Sequence, residues 1–215
     1  MHELIRLFRL AARMSGVVCL VGLPFSAACT TPNNPLQDFE SVSPATELEV
    51  PKASAPNAAN YPIEQVTRGK YMVKLLGCGI CHTDGALVGE PDYALNMAGS
   101  RIGIAYSNPM ENKYPGVVYP SNITPDIETG IGSWSESDIV RLLRSGEASH
   151  DRQLLAVMPW PTYAWIIDSD ALAIAAYLRS LPPVKHQVPK NVSTGQRASS
   201  PYVHFGFYRL QTYDG

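Results

Sequence analysis

The 215-residue chain lacks the features that mark several common kinds of protein. Charged residues make up 17% of it and the formal net charge is −2, which gives no reason to expect a nucleic-acid partner. No second cysteine pair follows Cys78 and Cys81, so a structural zinc site would lack two of its soft ligands. The one long apolar run, 14–25, falls short of the roughly twenty residues that a membrane-spanning helix needs. No internal repeat is visible.

That apolar run has the surroundings of an export signal. Arg6, Arg9 and Arg13 precede it, and the small residues Ser26-Ala27-Ala28 follow it. A basic start, a short apolar core and small residues at the end are typical of a signal peptide. We therefore predict a signal peptide over 1–28, with an uncleaved N-terminal anchor as the alternative.

Cys29 follows the small residues directly. A small-small-Cys junction after an apolar run resembles the lipobox of bacterial lipoproteins, although Ser26 stands where that motif usually has Leu. The resemblance implies that Cys29 is diacylated and becomes the mature N-terminus, on the periplasmic side of a bacterial membrane. Ordinary cleavage that leaves a soluble protein is the alternative. Lipidation would also remove an exposed thiol from an oxidising compartment.

The remaining chain divides by composition. Residues 29–61 are rich in Pro, Ser, Ala and Asn and show no periodicity, which predicts a flexible tether with a reach of roughly 30 Å. Residues 62–185 suit one globular domain, and 186–215 form a C-terminal extension. Its stretch 202–208 is unexpectedly aromatic, and either packs back on the domain or docks a partner.

The most constrained stretch is Cys78-Gly79-Ile80-Cys81-His82. A C-x-x-C-H run is the attachment signature of a c-type haem. Two thiols one helical turn apart can add to the two vinyl groups of one porphyrin, and the adjacent imidazole can reach the iron. A thioredoxin-like pair would need a surrounding βαβ pattern, which we do not see. We predict one covalent haem c on Cys78 and Cys81, with His82 as an axial ligand.

A helix over 62–76 delivers this motif. Its apolar residues recur at intervals of three and four, as one helical face requires. Gly69 lies on that face and would normally weaken a helix by about 1 kcal/mol. We expect another helix to cross there in close contact. The face consists of Val66, Gly69, Val73 and Leu76.

Two further helices are predicted. The first covers 136–145, with a capping-box-like start at Ser135. The second covers 170–181, where Asp168 or Ser169 can cap the first turn. This last helix is the expected partner at Gly69. Strand signals are few.

The pattern as a whole resembles class I cytochrome c, an all-α fold whose first and last helices cross around one haem. It resembles more narrowly the cytochrome c subunits of periplasmic alcohol and aldehyde dehydrogenases. The segments that carry this resemblance, from about residue 64 to 184, are Arg68-Gly69-Lys70-Tyr71, Cys78 to Thr83, Ala98-Gly99-Ser100-Arg101, Asn122-Ile123-Thr124-Pro125-Asp126, Thr129 to Trp134, Met158-Pro159-Trp160 and Ala176-Tyr177-Leu178.

The resemblance implies that a methionine is the sixth iron ligand, and the family places it at Met158. Met97 is the main competitor. Met72 lies too near Cys78 to reach the opposite haem face, and Met110, His150, His186 and His204 are other candidates. Propionate contacts are expected among four residues, with ordinary loop packing as the alternative for each. They are Arg101, Tyr119, Asn122 and Trp134.

These features predict an electron-transfer protein and not an enzyme in its own right. Haem would take one electron from a dehydrogenase or respiratory complex and pass it to an oxidase or another cytochrome. One alternative is an integral cytochrome subunit of a large respiratory or photosynthetic complex. Another is a haem enzyme or gas sensor with an open sixth position.

Overall fold

The structure is a computed structural model of the chain, and it describes residues 40, 48–108, 111–147, 154–155 and 157–204. The predicted signal peptide, the predicted lipidation site Cys29, and the ligand candidates Met110 and His150 lie outside the described residues. The aromatic C-terminal stretch is described only as far as His204.

Helices and turns dominate the described part of the chain. Its α-helices are α1 Ala55–Ala58, α2 Ile63–Leu75, α3 Cys78–His82, α4 Glu136–Ser145, α5 Trp160–Tyr163 and α6 Asp168–Ser180. Two short 3-10 turns, Ala86–Val88 and Tyr93–Leu95, follow α3. None of the described helices is long and apolar enough to cross a membrane.

Helices α2 and α6 cross at Gly69, as the sequence predicts. A Cβ added at Gly69 would lie 1.9 Å from the carbonyl oxygen of Ala173 and 2.7 Å from Cβ of Tyr177. The two backbones are therefore in direct contact, which only glycine permits. Beside the crossing, Nε of Arg68 lies 2.7 Å from Oδ1 of Asp170.

The N-terminal cap of α4 agrees with the prediction from the sequence, whereas that of α6 does not. Helix α4 begins with a capping box, in which Ser135 and Asp138 each bond the other's backbone N–H. Helix α6 begins earlier than predicted, and its N-cap Ile167 makes no side-chain hydrogen bond. Asp168, predicted as a cap, lies instead in the first turn and pairs with Arg144.

A small sheet corrects the expectation of an all-α fold. Strands β1 Gly103–Ala105, β2 Val117–Val118 and β3 Tyr202–His204 are arranged in the order β2-β1-β3. β1 pairs antiparallel with β2 and parallel with β3. The strands have only two or three residues each, too few for an alternating pattern to be visible in the sequence.

Segments on both sides of 62–185 pack against the domain. The C-terminal extension returns to it through β3. At the other end, the amide of Ser54 donates to the carbonyl of Ser180 at 2.7 Å, and the Tyr177 hydroxyl donates to the carbonyl of Pro51 at 2.6 Å. The packed part of the described chain therefore extends beyond 62–185 in both directions.

A buried carboxylate, paired with an exposed arginine, holds the chain just after the predicted haem motif. The Asp84 side chain is only 6% exposed and pairs with Arg101. Its Oδ1 accepts the Arg101 backbone N–H at 2.7 Å, and its Oδ2 accepts Nε–H at 2.8 Å. Burial acts to raise the pKa of Asp84, but the bonds to Arg101 outweigh it and the pKa is lowered.

Gly69→Ala should lower the free energy of unfolding by about 3 kcal/mol or more, because the new methyl group meets backbone that cannot move aside. Gly79→Ala is the matched control. There a Cβ would meet its nearest neighbours, Thr83 and Met97, at 3.7 and 3.8 Å, so the change should stay within about 1 kcal/mol. Urea unfolding followed by circular dichroism measures both. Equal effects would contradict the close crossing.

Asp84→Asn should lower the free energy of unfolding by about 1–3 kcal/mol at neutral pH, since it removes the negative charge from the hydrogen bonds between Asp84 and Arg101. Because the folded-state pKa is lowered, the stabilisation is present above the unfolded pKa of about 3.9 and is lost as pH falls through the folded pKa. The difference from wild type should therefore shrink below about pH 4 in urea unfolding curves. Asp168→Asn removes an ion pair whose carboxylate is 82% exposed, and should have little effect at any pH.

Candidate haem-attachment site

Helix α3 presents the two thiols and the imidazole from a single turn and a half. Gly77 takes up the left-handed conformation, with φ 68°, and so separates α3 from α2. Glycine adopts this conformation without steric cost. Cys78 and Cys81 are spaced by three residues and share one face of the helix, with His82 beside them.

The imidazole of His82 is oriented by the backbone of a distant loop. Its Nδ1 lies 2.7 Å from the carbonyl oxygen of Ser121. Burial lowers the pKa of His82, although this hydrogen bond acts in the opposite direction. The ring is therefore neutral at neutral pH, and Nδ1–H donates to the carbonyl. That tautomer leaves the lone pair of Nε2 available to a metal.

The chemistry of the thiols favours attachment over thiol redox catalysis. Both cysteines are free and partly buried, and burial raises the pKa of Cys78 to about 12 and that of Cys81 as well. A redox-active C-x-x-C pair needs a lowered thiol pKa. Across the described ranges, no group of three His, Cys, Asp or Glu residues is suited to hold a metal ion. Two thiols and one neutral imidazole on a single helix fit a covalent haem.

Two of the predicted haem contacts have their hydrogen-bonding groups engaged within the protein. Asn122 is 2% exposed, and its amide donates to Thr129 Oγ1 at 3.0 Å and to the carbonyl of Val184 at 2.7 Å. Its oxygen accepts from the backbone and hydroxyl of Thr124. The Tyr119 hydroxyl donates to the carbonyl of Ser200 at 3.0 Å. Asn122 has no remaining side-chain N–H for a propionate.

Arg101 has an exposed side chain, whereas Trp134 is partly buried. Arg101 is tied to Asp84, but its side chain is 61% exposed. Trp134 is partly buried against the main core, and its backbone carbonyl accepts a hydrogen bond from the Arg179 guanidinium.

Met97 lies close to the proximal side of the site. Its side chain is fully buried, and its sulfur lies 3.8 Å from the position of a Cβ at Gly79. Its amide donates to Thr83 Oγ1 at 3.2 Å, and its carbonyl accepts from the amide of Ile123 at 3.0 Å. Met97 is the one non-glycine residue with positive φ in the described chain, at 63°. Hydrogen bonds to Thr83 and Ile123 thus hold the Met97 backbone next to the residues that follow His82 and Ser121.

Met158 and the other candidates for the sixth iron ligand lie on segments other than that of Met97. Met158 is half-buried, between α4 and α5, and packs against the core cluster that Cys78 also contacts. Met72 is buried in α2. Nδ1 of His186 lies 2.9 Å from the carbonyl of Ala98, and Nε2 of His204 lies 2.7 Å from that of Ser107.

Ser121 was not among the residues singled out from the sequence. The motif predicts that the second nitrogen of His82 needs a partner, but the partner is a backbone carbonyl, which any residue type can provide. The adjacent Asn122, with its several bonds, is the nearest signal that this loop is fixed.

Comparison with known proteins places this geometry in context. No protein-family model matches the chain. The chain is 32% identical over 146 residues to a nicotinate dehydrogenase subunit of Pseudomonas putida, and the match covers 66% of this chain and 11% of that protein. It is 34% identical over 124 residues to the cytochrome c subunit of a quinone-dependent alcohol dehydrogenase of Gluconobacter oxydans, 57% of this chain and 23% of that one.

A third relative is the gluconate 2-dehydrogenase cytochrome c subunit of Pantoea cypripedii, 35% identical over 120 residues, a match that covers 55% of this chain and 24% of the relative. The matched parts thus make up between a tenth and a quarter of these relatives' lengths. Over the matched residues, the chain resembles the cytochrome c subunits of dehydrogenases.

Proposed function

We propose that this chain is a monohaem c-type cytochrome that carries single electrons from a dehydrogenase or respiratory complex to a terminal acceptor. One observation carries the proposal: α3 presents Cys78, Cys81 and His82 together, and Ser121 holds Nδ1 of His82 so that Nε2 is available. The single C-x-x-C-H motif supports one haem. The names of the relatives support a dehydrogenase as the electron donor.

In this proposal haem c supplies a one-electron couple, and the residues of the chain hold and tune it. Cys78 and Cys81 would anchor it through thioether bonds. His82 would bind the iron through Nε2, and donation of Nδ1–H to the carbonyl of Ser121 would raise the basicity of that nitrogen. Filling the sixth position with a thioether favours a higher potential than a second imidazole would.

Met158 is our proposed sixth ligand because Met97 is held on the other side. The sulfur of Met97 lies 3.8 Å from the position of a Cβ at Gly79, and its backbone amide bonds to Thr83, the residue after His82, so we place it on the same side as His82. Met158 lies on a separate segment, between α4 and α5, and still packs on the core that Cys78 contacts. Two axial ligands must approach from opposite faces, which two separate segments allow.

We further propose that the protein acts on the periplasmic side of a bacterial membrane, held there by lipid on Cys29. The signal-like segment 1–28 and the small-small-Cys junction support this. An electron donor that is itself a membrane-associated or periplasmic dehydrogenase would then lie within reach.

The direct test of the function is isolation of the protein from cells that attach haem c. We expect haem to remain on the chain in a denaturing gel, with a mass increase of one haem. Gentle solubilisation of membranes followed by mass identification should recover a dehydrogenase or respiratory complex with it. Absence of covalent haem, or rapid carbon monoxide binding by the reduced native protein, would count decisively against the proposal.

Met158→Ala should leave the haem covalently attached and abolish the weak methionine-to-iron charge-transfer band of the oxidised protein. The reduction potential should fall by tens of millivolts or more, within the range of about 0.8 V that axial ligands span. Absorption spectra and potentiometric titration measure both. Met72→Ala, in α2, is the control and should keep the band. Loss of the band in Met97→Ala, with retention in Met158→Ala, would reverse the assignment.

Cys29→Ser should move the mature protein from the membrane to the soluble periplasmic fraction with an unchanged haem spectrum. Each buried methylene of an acyl chain contributes about 0.8 kcal/mol, and two chains anchor stably where one binds only marginally. Fractionation at high salt with immunodetection measures the change. Cys19→Ser, within the predicted signal, is the matched control and should remain at the membrane. A Cys29→Ser protein that is cleaved yet still sediments with membranes would argue for a protein partner as the anchor.

A further inference from the structure

The backbone of Met158 is connected to the end of α4 by three hydrogen bonds in series. The carbonyl of Gly146 accepts the amide of Leu154 at 2.7 Å. The carbonyl of Leu154 accepts the indole N–H of Trp160 at 3.1 Å. The amide of Trp160 then donates to the carbonyl of Met158 at 2.7 Å. Trp160 is the member of this series that joins Met158 to the rest.

The Trp160 ring also packs on the chain where α4 ends. Gly146 terminates α4 in the left-handed conformation, with φ 69°. A Cβ added there would lie 2.7 Å from Cδ2 and Cε2 of Trp160. The ring therefore lies directly on the glycine backbone, and a side chain at position 146 would displace it. The ring contact with Gly146 and the hydrogen bond to Leu154 thus both hold Trp160.

The other end of this segment is tied to the haem motif. Trp160 begins α5, and the hydroxyl of Tyr163 in that helix contacts the carbonyl of Leu76 at 3.4 Å. Leu76 closes α2, just before α3 carries Cys78. The Met158 segment is thus attached to α4 on one side and to the start of the haem motif on the other.

We propose that Trp160 is a positioning residue for the sixth-ligand sulfur. By fixing the backbone of Met158, it favours the methionine-ligated state over ligation by an external ligand. A thioether is a weak ligand, so its binding is sensitive to the conformational entropy lost when the Met158 segment becomes ordered. If the segment is already ordered, that cost is not added when the sulfur binds iron. This inference rests on the proposed ligation by Met158.

The test is an imidazole titration of the oxidised, haem-loaded full chain. Trp160→Phe keeps an aromatic side chain, although a smaller one, and removes the N–H, and should bind imidazole about fivefold or more tightly, the factor expected for one hydrogen bond. Trp160→Ala should bind it about tenfold or more tightly. Trp165→Ala is the matched control, since Trp165 is 88% exposed, and should match wild type.

A second control separates positioning from general loss of stability. Asn57→Ala removes the hydrogen bond from Asn57 to the carbonyl of Leu181 and leaves the haem motif and the Trp160 contacts in place, so its imidazole affinity should stay close to that of wild type. If Asn57→Ala and Trp160→Phe raise the affinity equally, Trp160 acts only through global stability and the inference is overturned. Wild-type affinity in both Trp160 variants overturns it as well.

The two proposals fail in different ways. A wild-type protein that shows the charge-transfer band, together with unaffected Trp160 variants, overturns the positioning role and leaves Met158 as the ligand. A wild-type protein without the band, whose spectrum Met158→Ala does not change, overturns the ligation and the positioning role together. If Trp160→Ala does not fold, the Trp160→Phe titration decides.

Discussion

The contact between α2 and α6 at Gly69 is the constraint on which the rest of the structure depends. It brings the carbonyl of Ala173 so close that no side chain fits between the helices. Helix α2 leads directly into α3, so the crossing also sets where Cys78, Cys81 and His82 lie. Helix α6 in turn is hydrogen-bonded to Ser54 and Pro51 of the N-terminal segment. One small residue thus permits the packing that positions the haem motif and holds the N-terminal segment.

Buried, hydrogen-bonded polar side chains fix the conformation of the long loops, which have few helices or strands to do so. Asp84, Asn122 and Thr124 are each at most 5% exposed, and each has several hydrogen-bond partners within the chain. A buried polar group is costly unless it is bonded, so these partners fix the loop conformations. Asn122 immediately follows Ser121, whose carbonyl orients His82. The loop order therefore has a direct effect on the proposed iron ligand.

The two proposed iron ligands are oriented by different hydrogen bonds. His82 is fixed by α3 and the loop around Ser121. Met158 is connected to the end of α4 and to α5. The two parts meet where Tyr163 of α5 donates to the carbonyl of Leu76, just before the haem motif. The chemistry would then be that of the haem, and the protein would supply orientation and ligand choice.

The sequence alone determined the haem motif, the helix α4 with its capping box, and the need for glycine at residue 69. The motif and the capping box are local, since they depend on residues within a few positions of one another. Gly69 was noticed as a glycine on one periodic face, although the contact that requires it is with the distant Ala173. The sequence also predicted that His82 needs a partner, but not which one. The sheet and the engagement of Asn122 were not visible in it. Packing of the aromatic C-terminal stretch against the domain was one of two alternatives that it left open.

Those remaining features were decided by tertiary structure because they join residues far apart in the chain. β1 and β3 pair through backbone groups, and the imidazole of His82 bonds to the backbone carbonyl of Ser121. Backbone donors and acceptors are the same in every residue except proline, so they leave no mark in the pattern of side chains. Packing, which brings particular segments together, determines which of these groups meet.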